Sequence, residues 1–216
     1  MKKKVIQLPK GYLSYSQIQL WKNDRERYIA IYMDGRDELR TSNAGQEYGK
    51  IVADALEKGI DTGDVLTDAA MLLLKKYDIA DEEIRVDMRT KYGWLTVMVK
   101  PDTRDSRTCA FREYKTGKAP WTQKSAQNHP QMKFYAMLIY LKHKIVLREA
   151  WLDWIETESV SDSVGVSILR PTGRVESFRI SFTLNDILKE MAETTKVALE
   201  IETAFASHIT KPEIPW

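Results

Sequence analysis

At 216 residues, with 30% charged side chains and a net charge of only +2, the chain can bury a core without disulfide or metal staples and reads as one domain, 1–216. Cys109 is the only cysteine, which excludes an internal disulfide and a four-cysteine iron–sulfur cluster. The longest apolar runs, 69–74 and 136–141, are too short to cross a bilayer, and residues 1–10 lack a signal-peptide segment, so a soluble, cytoplasmic protein with no membrane partner is expected. His129, His143 and His208 show no zinc spacing and read as surface or packing residues.

In chain order, Ser14–Gln17 is a capping-box pattern opening a short helix that carries Ile18, Leu20 and Trp21. Tyr15, Trp21 and Tyr28 stand at helical spacing and are assigned to the core, although such rings can also stack bases. Asn43–Gln46 is a second capping box, and Gly59 is a left-handed stop. Between them Tyr48, Ile51, Val52, Ala55 and Leu56 make one apolar face, with Glu47 and Glu57 flanking it. A further helix within 61–81 is expected to turn Leu66, Ala69, Ala70, Leu73 and Leu74 inward. Strands 84–89 and 94–100 then form a hairpin about Lys91–Gly93.

The second of these strands runs into Asp102, followed by a polar turn, 103–108, and a strand over 109–115. Side chains of a strand alternate, so Glu113 and Lys115 share one face and Tyr114 takes the other. A hairpin-like return brings Asp102 beside Glu113, placing two hard oxygen ligands and an amine around one point. That set suits Mg²⁺ or Mn²⁺ and a positioned water.

Gly117 and Pro120 break the strand, and a helix opens at 128–131 and runs to 141. Gln131 and Tyr135 lie four apart on one side of it. Gln131 can close a capping box with Asn128 while Tyr135 packs beside Met132 and Ile139, or both can face a groove; spacing alone does not choose. A strand over 144–156, a hairpin of 164–169 with 175–182 about Pro171–Gly173, and a last helix capped by Thr183 or Asn185 complete the chain. These elements imply an α/β sandwich with a mixed central sheet. The segment 100–148 holds eleven Lys or Arg against three acids, a local +8 of the kind that binds phosphate backbones, with Arg112, Lys118 and Lys124 as candidate contacts.

The PD at 101–102, ten intervening residues, EYK at 113–115, KTGK at 115–118 and QMKFY at 131–135 together resemble the PD-(D/E)XK nuclease superfamily, RecB-type branch. The likeness covers roughly residues 13–141. LSYSQIQLWKNDRERY resembles the branch's N-terminal segment, with Asn23 and Asp24 where cluster-bearing relatives place Cys-Pro. GKIVADALE resembles the G-x-x-x-H-x-x-L-E element, in which a histidine or glutamate ligates metal; here that position is Ala53. Glu57 or Glu47 could substitute, or both are solvated helix acids.

The resemblance implies the restriction-endonuclease-like fold, a three-layer sandwich whose mixed central sheet is flanked by helices. It further implies a Mg²⁺- or Mn²⁺-dependent deoxyribonuclease, more an exonuclease than a restriction enzyme, acting on DNA in recombination, repair or phage DNA processing. By the same resemblance Asp102, Glu113 and the Tyr114 carbonyl hold metal, Lys115 positions the attacking water, and Gln131 and Tyr135 orient the strand or the lysine. Ala53 keeps open a weak nucleic-acid-binding module, and the chain could also be a nuclease subunit beside a recombination or helicase partner protein.

Overall fold

The computed structural model describes residues 4–80, 82–161 and 167–210. After the short strand β1 (Leu13–Ser14), the Ser14 hydroxyl accepts the Gln17 amide and starts α1 (Tyr15–Asn23); Asp24 likewise caps α2 (Arg25–Tyr32). Both bonds of the Asn43/Gln46 capping box form at α3 (Ala44–Lys58), and Gly59, at φ 65°, ends it. Then follow α4 (Val65–Leu72), β2 (Ile79–Ala80), β3 (Ile84–Arg89), β4 (Trp94–Val99), β5 (Thr103–Arg104) and β6 (Phe111–Gly117). The chain continues with α5 (Gln123–Gln127), α6 (Pro130–His143), β7 (Ala150–Ser161), β8 (Ser167–Ile180) and α7 (Leu184–Ile209), the last opened by a Thr183/Asp186 capping box.

The strands form two mixed sheets, ordered β1-β4-β3 and β2-β5-β6-β7-β8. In the first, β1 runs parallel to β4; in the second, β6 runs parallel to β7 and the other pairs are antiparallel. The single central sheet expected from sequence is therefore split where β4 gives way to β5. Pro101 stands in that gap with no N–H to offer a ladder, and Asp102 beside it is free of the pairing that flanks it.

Helices cover both faces. Met132, Phe134, Met137 and Leu138 of α6 join Leu95, Val97, Phe111, Trp154 and the α7 residues Ile187 and Ile201 in the larger core. On the other side Val52 and Leu56 of α3, with Ala70 and Leu74, pack against Tyr114 and Ile155. The result is mixed α/β, with mixed sheets flanked by helices. Among the described residues no helix is long and apolar enough to cross a membrane.

Three sequence expectations need correction. The strand expected over 144–156 begins only at Ala150, because Lys144, at φ 61°, first closes α6. Helix α4 is only two turns long and turns Thr67 and Ala70 inward, leaving Leu66 52% and Leu73 64% exposed. Pro171–Gly173 is not a turn: β8 runs straight through it beside β7, and the expected strand start at Val164 lies outside the described residues. The pairing steps from Ile155↔Val175 to Thr157↔Pro171, so Thr172, Gly173 and Arg174 bulge opposite Glu156, with Gly173 at φ 91°. Pro171 is tolerated because β8 is the edge strand.

Candidate active site

Strand β6 alternates as its sequence requires. Tyr114 packs on Val52 and Leu56 of α3 and Arg112 turns to Asp153 of β7, while Phe111, Glu113 and Lys115 meet Tyr135 and Gln131 of α6. Glu113 is 5% exposed, and its Oε1 accepts both Lys115 Nζ at 2.7 Å and Gln131 Nε2 at 2.6 Å. Lys115 Nζ also donates to Gln131 Oε1 at 2.8 Å, closing a three-residue ring. Gln131 Nε2 reaches the Tyr135 hydroxyl at 2.9 Å, which in turn donates to the Lys100 carbonyl at 3.3 Å at the end of β4. Gln131 is thus committed to the β6 carboxylate and not to a capping box; His129 occupies the cap position of α6 and makes no side-chain capping bond.

Asp102 arrives from the other direction. Strands β5 and β6 pair Thr103 with Arg112, and the turn between them closes through the Asp105 carboxylate and a left-handed Cys109. One residue before that ladder, Asp102 Oδ2 accepts the Tyr114 amide at 2.6 Å. Burial, and next the Glu113 carboxylate, hold the Asp102 carboxyl well above the ordinary carboxylate range, against the opposing pull of the Tyr114 amide and Lys115. Glu57 adds a smaller push in the same direction, so it is the α3 acid that senses Asp102.

The two α3 carboxylates are not equivalent. Glu57 is part-buried in the last turn, 4.0 Å from Lys100 Nζ. Glu47 is exposed in the first turn and accepts the Ser42 hydroxyl at 2.7 Å. Ten residues of helix separate them by about 15 Å, so both cannot serve one centre. Ala53 lies half-buried between them.

Among the described residues no group of three or more His, Cys, Asp or Glu forms a ready metal cluster. The donor chemistry nevertheless fits a hard divalent ion. Glu113 Oε2 is buried with no hydrogen-bond partner, while two donors already occupy Oε1. A buried carboxylate oxygen left so is costly unless something cationic completes it.

Five further residues bear on the surroundings. Tyr15, assigned to the core from its spacing, does pack on Phe134, but it also lines a cavity of about 190 Å³ with Ser14, Met98, Lys100, Gln131 and Tyr135. Lys100 was passed over because it ends a strand pattern; its place directly before Pro101–Asp102 was the available signal. Arg112 is no phosphate contact. It is buried, with Nη1 2.7 and 2.9 Å from the two oxygens of Asp153, a side chain with 0% exposure that also accepts the Ser177 hydroxyl. Lys118 and Lys124 are exposed, Lys118 donating to the Ser159 hydroxyl at 2.7 Å.

No protein-family model and no curated protein matches this sequence. Solved structures do. The chain superposes on a candidate exonuclease from Eubacterium rectale with a TM-score of 0.55 and 10% identity, over 91% of this chain and 83% of that one. It superposes on an alkaline exonuclease from Laribacter hongkongensis with a TM-score of 0.50 and 15% identity, over 91% of each chain. At such identities the likeness is one of fold, a mixed α/β arrangement of mixed sheets flanked by helices.

Proposed function

We propose that the 216-residue chain is a single nuclease domain that hydrolyses DNA phosphodiester bonds with Mg²⁺ or Mn²⁺, acting as an exonuclease in recombination, repair or phage DNA processing. The observation that carries this reading is the unpartnered Glu113 Oε2 beside Asp102, with Lys115 and Gln131 locked onto the opposite oxygen of the same carboxylate. In this reading Asp102, Glu113 Oε2 and the Tyr114 carbonyl hold the ion, and Glu57 completes the set directly or through water, in place of the ligand missing at Ala53. An ion held there would supply polarisation of the scissile phosphate and charge stabilisation at the leaving oxygen.

The chain's own residues supply orientation and electrostatics. Lys115 Nζ, tethered on two sides, has a donor left for the attacking water or a non-bridging phosphate oxygen. Water oxygen bonds to phosphorus as the phosphorus–ester oxygen bond breaks; the attacking water gives a proton to solvent, and the leaving oxygen takes one up from solvent. Gln131 fixes the lysine, and Tyr135 fixes Gln131 to the end of β4. The basic stretch 100–148, with Lys118 and Lys124 exposed, steers the phosphate backbone towards the cleft.

The deciding experiment follows nucleotide release from end-labelled DNA with Mg²⁺, Mn²⁺ or EDTA. Release with either metal and none with EDTA supports the reading; equal release by wild type and Asp102→Ala overturns it. Ala53 favours one alternative, a nucleic-acid-binding module of low activity, which would bind DNA equally with and without Mg²⁺.

A further inference from the structure

At the far end of β4 from Lys100 lies a groove of about 730 Å³ between the β3–β4 hairpin and the outer face of α7. Six residues of strand put it about 20 Å from the Asp102 end, so it belongs to a different surface. Its floor and helix wall are aliphatic, with Met88 beneath and Leu188, Met191 and Leu199 along the helix, Leu188 being 52% exposed; the hairpin side adds one ring, Tyr92. Its rim is cationic. Arg89, Lys91 and Lys196 line it, and none of the three is in an ion pair with a described residue. The acid among the lining residues, Glu200, is already compensated: its Oε2 accepts Arg25 Nη2 at 2.7 Å and Trp21 Nε1 at 3.0 Å.

An apolar floor under a rim of three cations, of which Lys196 feels a nearby acid, Glu193, selects by charge and by shape. Polyanions such as DNA would meet the three cations, but the aliphatic floor gives bases no stacking platform, and the one ring among the lining residues, Tyr92, already has Lys91 Nζ 4.9 Å over its face. Water gains little from a floor of Leu and Met, so the groove favours an occupant that brings aliphatic or aromatic side chains together with carboxylates. From Leu188 to Thr203 the helix wall measures about 22 Å, the span of six or seven residues of extended chain.

We infer that this groove docks an acidic, apolar-ended peptide segment of a partner protein, its carboxylates meeting Arg89, Lys91 and Lys196 and its bulky side chains lying on Leu188, Met191 and Leu199. Because the groove sits away from Asp102 and Glu113, such a partner can hold the protein while the cleft remains open to DNA. Binding there is independent of any catalytic activity.

The test uses the full chain and a fluorescein-labelled hexapeptide of sequence DEDLIF, with binding followed by fluorescence anisotropy. Saturable binding is expected, with affinity about tenfold lower for Arg89→Glu and for Lys196→Glu, and lower again for Leu188→Ser. All three positions are exposed, so the variants should keep the wild-type melting temperature, which is measured alongside. A neutral NQNLIF peptide should bind at least about tenfold more weakly, and added salt should weaken the acidic peptide alone. Absence of saturable binding overturns the inference. So does equal binding of the two peptides, or a duplex oligonucleotide that displaces DEDLIF and loses affinity in Leu188→Ser. A concentration-dependent dimer abolished by Leu188→Ser also overturns it, since the groove would then be an interface between two copies.

Discussion

Glu113 and Lys115 meet through a 2.7 Å ion pair across a two-residue step of one strand, on the face turned towards α6. A strand fixes that geometry before any ligand arrives, because successive same-face side chains stand side by side. The carboxylate is 6% exposed at its side chain and the lysine 27%, so the lysine is the member that reaches solvent and substrate. Their functions should separate under mutation.

Replacing Lys115 with alanine should lower turnover by about a hundred- to ten-thousandfold, the range typical of a lost proton-handling or orienting group. Metal affinity, read by isothermal titration, should stay close to wild type. Glu113→Gln should lose both, since it removes the oxygen charge at the unpartnered position. A parallel loss of metal binding in Lys115→Ala would show that the lysine organises the ligands and not the attack.

Asp102 carries a cost in the absence of metal. Its carboxyl is held above the usual range, so the folded state binds the proton more tightly than the unfolded chain and loses stability as pH rises beyond the ordinary carboxylate value. Asp102→Asn keeps an acceptor for the Tyr114 amide and removes the charge. It should therefore be inactive yet melt several degrees higher than wild type in EDTA at pH 8, with the gap narrowing towards acid. A lower melting temperature at pH 8 would contradict the assigned cause of the shift.

Glu57 and Glu47 should part company. Glu57→Ala is expected to weaken Mg²⁺ binding about ten- to a hundredfold, and Glu47→Ala to leave it unchanged. Ala53→Glu should then recover part of the affinity lost in Glu57→Ala. Full affinity in the Glu57 variant would mean that no α3 acid serves the centre.

His129 reports on acid stability. Burial first, and then Lys115, push its imidazole down to about 4, so between that value and the unfolded pKa near 6.5 the unfolded chain takes up the proton and the folded one does not. Stability from this residue is complete above the upper value and is lost as pH falls through the window. Urea unfolding of His129→Phe should show a flatter pH dependence across that window than wild type; equal slopes would locate the acid sensitivity elsewhere.

Arg112 and the exposed lysines should respond in opposite ways. Arg112→Met strands the Asp153 carboxylate in the core and should cost about 3–5 kcal/mol. Lys118→Ala and Lys124→Ala should leave stability alone and each reduce the salt slope of DNA binding by about 1. A stable Arg112→Met protein with a reduced slope would return that residue to the phosphate track.

Much of the site was legible because it is local. Alternation along 109–115 placed Glu113 and Lys115 together, and the strand pattern over 94–100 ran directly into Asp102. The choice for Gln131 was not legible, since a capping glutamine and a groove-facing one have the same spacing; only the arrival of β6 opposite α6 decides. Arg112 was misread for a similar reason. Its partner Asp153 lies forty-one residues away on a strand whose start the sequence misplaced, and a basic residue beside a nuclease motif looks like a phosphate contact. The Pro171–Gly173 signal was real but its consequence was not a reversal, because an edge strand can absorb as a bulge what a central strand would have to turn around.

That bulge has an arithmetic of its own. Ile155 pairs with Val175 and Thr157 with Pro171, so β8 advances four positions while β7 advances two. A surplus of one would invert every side chain beyond it; a surplus of two restores each to the face it started on. The arm beyond Thr157 therefore keeps its inside and outside, and this hairpin can gain or shed length in twos without disturbing the sheet that carries Glu113. Removing Thr172 and Gly173 together should be tolerated where removing Gly173 alone is not.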